Sequence, residues 1–321
     1  MMNKLLRRLA LALSAGYILF FFSEAMFWAR WRAEDTVGDY AATWLTYSVL
    51  AFAFLTLVSR FRVRSAWALF LVGAVFGWLT EGAVVQTMYD DFPLNVSFTG
   101  LAWHASISVM VGWYLMRKVL IEQRWVAVGL LSGAMGLFWG VWAVCWWVEA
   151  GDVASLPAFG AFACLTSLGL IPAYHVHNAL SRSRPAFAPT RWEVAGAALF
   201  FAFLFVAGTL PAVGLAGSIL PLLLAGVWLT LHRNRRTETR PPLTDVLSGR
   251  TGWPQALALL SMPATATLVY GLGRLGDRLL GLRIPTHIPI YLVLTGLGFI
   301  LLALSVIHVW RRPVARTDPR V

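Results

Sequence analysis

A chain of 321 residues that is 59% hydrophobic and 13% charged, with a mean hydropathy of +0.69, carries more apolar surface than a soluble domain of its size can bury. Its net charge of +11 does not point to nucleic acid, because no groove-reading motif accompanies it and the basic residues are distributed as membrane topology distributes them. No run alternates apolar and polar residues as barrel strands do, so the spanning segments are expected to be helices.

In chain order, ten apolar stretches are long enough to cross a hydrocarbon core of ~30 Å: 9–29, 40–59, 66–88, 98–116, 125–148, 156–179, 191–210, 212–231, 255–273 and 287–309. With the N-terminus inside, 21 of the 26 Lys and Arg residues fall in cytoplasmic segments, and Arg30, Arg32, Arg274, Arg278 and Arg283 stay outside. An odd number of spans would spoil this bias. The expectation is therefore an all-α, polytopic transmembrane bundle of about ten helices with both termini cytoplasmic. The same charge suits contact with membrane lipids bearing anionic headgroups. Lys4, Arg7 and Arg8 before Leu9–Phe22 have the charge pattern of an export signal, but the apolar run continues through Ala25–Trp28, and a retained first helix is expected. Cys145 and Cys164 read as helix-packing thiols rather than a disulfide. Arginine supplies all but two of the basic residues, and Ala and Leu abound, which suggests a GC-rich bacterial source and hence its cytoplasmic membrane.

A single integral membrane domain is expected over 1–321, with no internal repeat. Its acidic residues are unevenly placed. Glu24, Glu34, Asp35, Asp39, Glu81, Asp90, Asp91, Glu149 and Asp152 all fall on the external side, and 12 of the 16 Trp residues precede position 150. Residues 1–155 are therefore expected to bear the site, and 156–321 to support it, with a cytoplasmic loop at 232–254.

Glu81 is the strongest candidate. Nine residues before Asp90 on a helix, it is expected ~13 Å below the external helix end, sharing a face with Gly77, Trp78, Val85 and Tyr89. An ionisable group at that depth marks a site or pathway, and removal from water favours a neutral acid able to donate a proton. The plainer reading is a protonated carboxyl hydrogen-bonded between helices. His104 is its natural partner, because Gly100, His104, Ser108 and Gly112 recur every four residues and form a small-residue stripe that another helix can approach closely. Antiparallel third and fourth helices bring Glu81 and His104 within contact or one-water range, either as a proton-transferring pair or as a pair fixing helix register. Tyr89, Asp90 and Asp91 open a Pro-containing connection to Gly100 that is either a substrate collar or a solvated turn. Glu24 and Glu149, at the external ends of the first and fifth helices, are candidates for the mouth of the site. Trp78, Trp103, Trp139 and Trp142 are candidates for its aromatic frame.

No metal and no cofactor are expected. His175 and His177 stand on opposite sides of a helix and read as interfacial residues, and neither His287 nor His308 has a second ligand type at metal-binding spacing in the sequence. No zinc-hydrolase, serine-hydrolase, phosphate-loop or acidic prenyl-phosphate motif is present. Three functions remain open. The first is a membrane-embedded enzyme using Glu81 and His104 on a lipophilic lipid or isoprenoid substrate. The second is a proton-coupled transporter, and the third is a non-catalytic scaffold whose protein partners are unknown.

Overall fold

Side-chain oxygens start five of the helices. Asn3 accepts a hydrogen bond from the amide of Leu5, Ser65 from Ala68 and Ser155 from Ala158. Thr36 with Asp39 and Thr190 with Glu193 each form a reciprocal capping box. The apolar runs that follow are spanning helices in a computed structural model that describes residues 3–145, 151, 153–237, 240–281 and 285–312. We label them α1 (Lys4–Trp28), α2 (Val37–Arg60), α3 (Ala66–Val84), α4 (Leu94–Ile121), α5 (Trp125–Ala143), α6 (Leu156–Leu180), α7 (191–213), α8 (Ile219–Thr237), α9 (Trp253–Leu280) and α10 (His287–Arg311).

Nine segments among the described residues are long and apolar enough to span, and one of them, Arg191–Thr237, has 47 residues. That segment turns back on itself. Gly214 adopts φ +59° and ψ −133°, a conformation favoured by a residue without a Cβ, and it separates α7 from α8. Arg191 and Arg235, near the two ends of this hairpin, line one cleft with Arg60 and Arg62. At its turn end the Thr209 hydroxyl donates to the Gly82 carbonyl at 3.1 Å. With the two arms of this hairpin counted separately, the described helices agree with the expected bundle of about ten. Neither cysteine is in a disulfide; Cys145 is buried and Cys164 exposed.

The bundle has an inner and an outer layer. In α1, α3 and α4, 72%, 83% and 67% of the apolar window is buried, against 11% for the α7–α8 hairpin and 17% for α10. Lipid supplies no hydrophobic drive between helices, so close backbone approach must hold the inner layer together. Glycine permits it. A Cβ on Gly77 of α3 would overlap the Gly100 carbonyl of α4 and come within 2.9 Å of the His104 Cβ. A Cβ on Gly140 of α5 would sit 2.7 Å from the Ala266 carbonyl oxygen of α9. The α3–α4 approach is the one that places the candidate site.

Candidate acid–base site

Three of the helices that build the site depart from α-helical winding where they do so. Residues Phe21–Ala25 of α1, Thr80–Val84 of α3 and Phe98–Leu115 of α4 are π-helical. The amides of Met26, Val85 and Met116 accordingly bond to carbonyls five residues back. The Ser106 and Ser108 hydroxyls likewise reach Leu101 and Trp103, whereas Ser14, Thr46 and Thr56 in α-helical turns reach back four residues. A wider turn brings residues four apart closer to one face, which is why the Gly100–His104–Ser108–Gly112 stripe faces its neighbours so directly. Such segments are frequent at functional sites.

These wide turns carry the polar residues. His104 Nε2 lies 2.6 Å from Glu81 Oε1, and its Nδ1 lies 2.9 Å from the Ser23 hydroxyl, itself 2.8 Å from the Ser108 hydroxyl. Both members of the pair are buried, Glu81 being 7% and His104 3% exposed. The Thr87 hydroxyl donates to the second oxygen of Glu81. One set of donations satisfies the whole chain: Ser108 to the Trp103 carbonyl, Ser23 to Ser108, and His104 Nδ1–H to Ser23. With that set, the hydrogen bond between Glu81 Oε1 and His104 Nε2 is carried by a single proton.

Glu24 sits beside the pair. The Tyr47 hydroxyl donates to its Oε1 at 2.6 Å and the Trp28 indole to its Oε2 at 3.0 Å. Arg32 stacks 4.3 Å above the Trp28 ring and is tied to Asp35 at 2.6 Å, a hydrogen bond that raises the guanidinium pKa further above its ordinary value. A cavity of about 560 Å³ opens over these groups. Glu24, Glu81, His104, Asp90, Asp91 and Trp103 line it, together with the rings of Phe27, Trp28, Phe98, Trp142, His287 and Tyr291. No lysine or arginine among the described residues lines it.

Several expectations need correction. Glu81 is not ~13 Å below a helix end: α3 stops at Val84, Gln86 takes φ +70°, and residues 87–89 form a separate short turn. Tyr89 therefore does not share a helical face with Glu81 and does not line the cavity. Its hydroxyl donates to the Gly82 carbonyl at 3.0 Å, and burial pushes its pKa up to about 12. Glu81 is kept dry by the connection folding back over it, since Val85, Thr87, Asp90, Asp91 and Asn95 all line the cavity. The connection borders the cavity while its Asp90–Leu94 stretch is exposed, so its geometry is compatible with both the collar and the solvated turn. Trp78 lies behind the site, donating to the Val96 carbonyl at 3.0 Å, and Ser108 reaches it only through Ser23. Trp139 is buried outside the cavity. Glu149 lies outside the described residues.

Sequence reasoning missed Ser23, Tyr47, Thr87, His287 and Tyr291. The last two come from α10, in the half expected only to support. It also misplaced His177, which is not interfacial but buried. The Ser14 hydroxyl lies 3.1 Å from its Nδ1, and the Trp113 indole donates to its Nε2 at 3.3 Å. Next to it the buried Arg117 donates to Asn178 and to the Leu247 carbonyl. A larger cavity, of about 1010 Å³, lies between α6 and α9; it is mostly apolar, with Arg274 and Arg278 in its lining, and no described carboxylate or histidine lines it. No cluster of three metal-ligating side chains occurs among the described residues.

No protein-family model, no curated protein and no solved structure matches the chain. The chain is a multi-pass helical membrane protein, and any function must be argued from the site itself.

Proposed function

We propose that the protein is an enzyme of a bacterial cytoplasmic membrane that performs acid–base chemistry on a lipophilic, lipid or isoprenoid substrate. The observation that carries this reading is the 2.6 Å contact between Glu81 and His104 in the wall of an aromatic-lined cavity. The cavity volume falls within the ordinary range for small-molecule sites, ~300–1,000 Å³. Its lining charge supports one class of substrate over another. With Glu24, Asp90 and Asp91 present and no lysine or arginine among the described residues in the lining, the cavity is poorly suited to a phosphate or carboxylate. A group that becomes positive during reaction would be stabilised by the carboxylates and the ring faces.

The step that fits is protonation of a carbon–carbon double bond. The proton between Glu81 and His104 bonds to one alkene carbon through the π electrons and leaves a cation on the other. A second C–H bond then breaks, restoring a double bond and returning its proton to the pair. This is isomerisation, or cyclisation if another double bond attacks first. Capture by water, with loss of one proton to the pair, gives hydration instead. The proton is shared between Glu81 Oε1 and His104 Nε2, and the Ser23 hydroxyl fixes the ring through Nδ1.

Deuterium labelling tests this without the substrate having been identified. The full chain in lipid nanodiscs is incubated in D2O with a lipid extract of the producing cells, and deuterium on carbon is read by mass spectrometry. Incorporation by the wild type and its loss in folded Glu81→Gln and His104→Ala would support the proposal. An identical lipid profile for wild type and both variants would sink it.

Proton-coupled transport is the second reading. It is favoured by the buried Ser14–His177–Trp113 chain and Arg117 near the opposite ends of the same helices, which give polar groups on both sides of the bundle. Proton uptake into proteoliposomes that is abolished in Glu81→Gln, without deuterium on any lipid, would select it.

A further inference from the structure

On the basic side, away from the acid–base site, a cleft of about 530 Å³ opens between the end of α2 and the two ends of the α7–α8 hairpin. Arg60, Arg62, Arg191 and Arg235 line it, and no carboxylate among the described residues does. Neighbouring cations are engaged: Arg7 donates to the Pro185 carbonyl at 2.7 Å, Arg8 pairs with Glu193 at 2.6 Å, and Arg233 donates to the Trp310 carbonyl at 2.9 Å. The four cleft guanidiniums make no hydrogen bond or ion pair to any described residue, and Arg191 alone has a stacking contact, 5.2 Å from the Trp192 ring. Thr56 and Ser59, also in the lining, donate their hydroxyls to the Phe52 and Phe187 carbonyls. Recognition in the cleft therefore falls to the guanidiniums.

The convergence is built rather than incidental to helix ends. Arg62 adopts φ +50°, and its neighbours are pinned on both sides: Asn234 donates to the Phe61 carbonyl at 3.1 Å, and the Leu243 amide to the Val63 carbonyl at 2.8 Å. Four like charges drawn to one cavity are mutually repulsive unless an anion occupies it. A guanidinium's forked donors suit phosphate oxygens. The cleft lies where spanning helices end, the level at which headgroups are expected, beside Trp192, which is 74% exposed. We infer that this cleft binds the phosphate of an anionic phospholipid, whose acyl chains run along the little-buried outer face of the α7–α8 hairpin.

The experiment compares thermal unfolding of the full chain in phosphatidylcholine nanodiscs with and without phosphatidylglycerol, and in phosphatidylcholine with saturating inorganic phosphate. Phosphatidylglycerol is expected to raise Tm and inorganic phosphate to do so much less. In Arg60→Gln/Arg235→Gln the phosphatidylglycerol dependence should weaken about thirtyfold, from roughly fivefold per basic contact. Arg182→Gln/Arg184→Gln, equally basic but outside the cleft, should keep it. Tm in pure phosphatidylcholine reports folding, and Arg191→Gln/Arg235→Gln replaces the first pair if that pair does not fold. Retention of the lipid effect in the cleft variants, or equal loss in the outlying pair, would overturn the proposal. Equal stabilisation by inorganic phosphate would assign the cleft to a soluble anion and overturn the lipid as its occupant.

Discussion

Ser23 holds the ring of His104 from one side while Glu81 meets it from the other, so the imidazole has no freedom to turn. Replacing Ser23 by Ala leaves a buried ring nitrogen without its partner, which costs about 1–3 kcal/mol. We expect Ser23→Ala to lower Tm and, because the tautomer is no longer imposed, to move the pH profile of deuterium incorporation. Ser23→Thr, which restores the hydroxyl, should recover the profile. A variant that loses stability but keeps the wild-type profile would reduce Ser23 to a packing role. Trp103 offers a second test. Its indole donates to the Phe22 and Ser23 carbonyls at 3.0 and 3.2 Å, bonds that fix the wide turn carrying Ser23 and Glu24. Trp103→Phe keeps the ring face over the cavity but should destabilise by about 0.5–1.5 kcal/mol, read by thermal unfolding.

At the level of elements, the site depends on how closely α3 and α4 approach. Gly77→Ala would force its Cβ into the Gly100 carbonyl, and overpacking of this kind costs about 1–3 kcal/mol or more. The helices would part where Glu81 meets His104, so activity should fall further than stability. Gly129 of α5 has nothing within 4 Å of the equivalent position, so Gly129→Ala should be neutral, or stabilising by up to about 1 kcal/mol. A comparable loss in both variants would mean that the α3–α4 contact does not govern the result. The π-helical turns are also what the sequence hid. Composition and four-residue spacing were enough to pair Glu81 with His104, because both lie on the small-residue faces of adjacent antiparallel helices. Winding is decided by tertiary contacts, so neither Ser23's approach to His104 nor the early end of α3 could be read from spacing. Thr87 was equally hidden, because it reaches Glu81 only when the chain reverses at Gln86. His287 and Tyr291 looked like part of an apolar support because no sequence pattern says which helix caps a cavity.

For the whole molecule, hydropathy and charge bias were sufficient to count the crossings, including the two that Gly214 separates within one continuous apolar segment. Orientation is the remaining consequence of that bias, and it can be measured. In a background with Cys145 and Cys164 replaced by Ser, Asp91→Cys should react with an impermeant maleimide from outside intact cells. Ser183→Cys, exposed on the opposite face, should react only after permeabilisation. Labelling of both from the same side would contradict the topology.

The collar over Glu81 has a consequence for timing. A carboxyl sunk in mid-membrane is isolated from water permanently. One a single turn from the end of its helix is isolated only while residues 85–95 stay folded over it. Admitting a substrate and exchanging the pair's proton with the aqueous phase then become the same event, one opening per cycle. A bulky, slowly opening collar would make that event the clock of the reaction. Thr87→Val, which removes the hydroxyl tying the collar to Glu81, should therefore speed the exchange of solvent deuterium with the pair even if it slows product formation. Single-turnover and steady-state measurements on the same variant would separate the two.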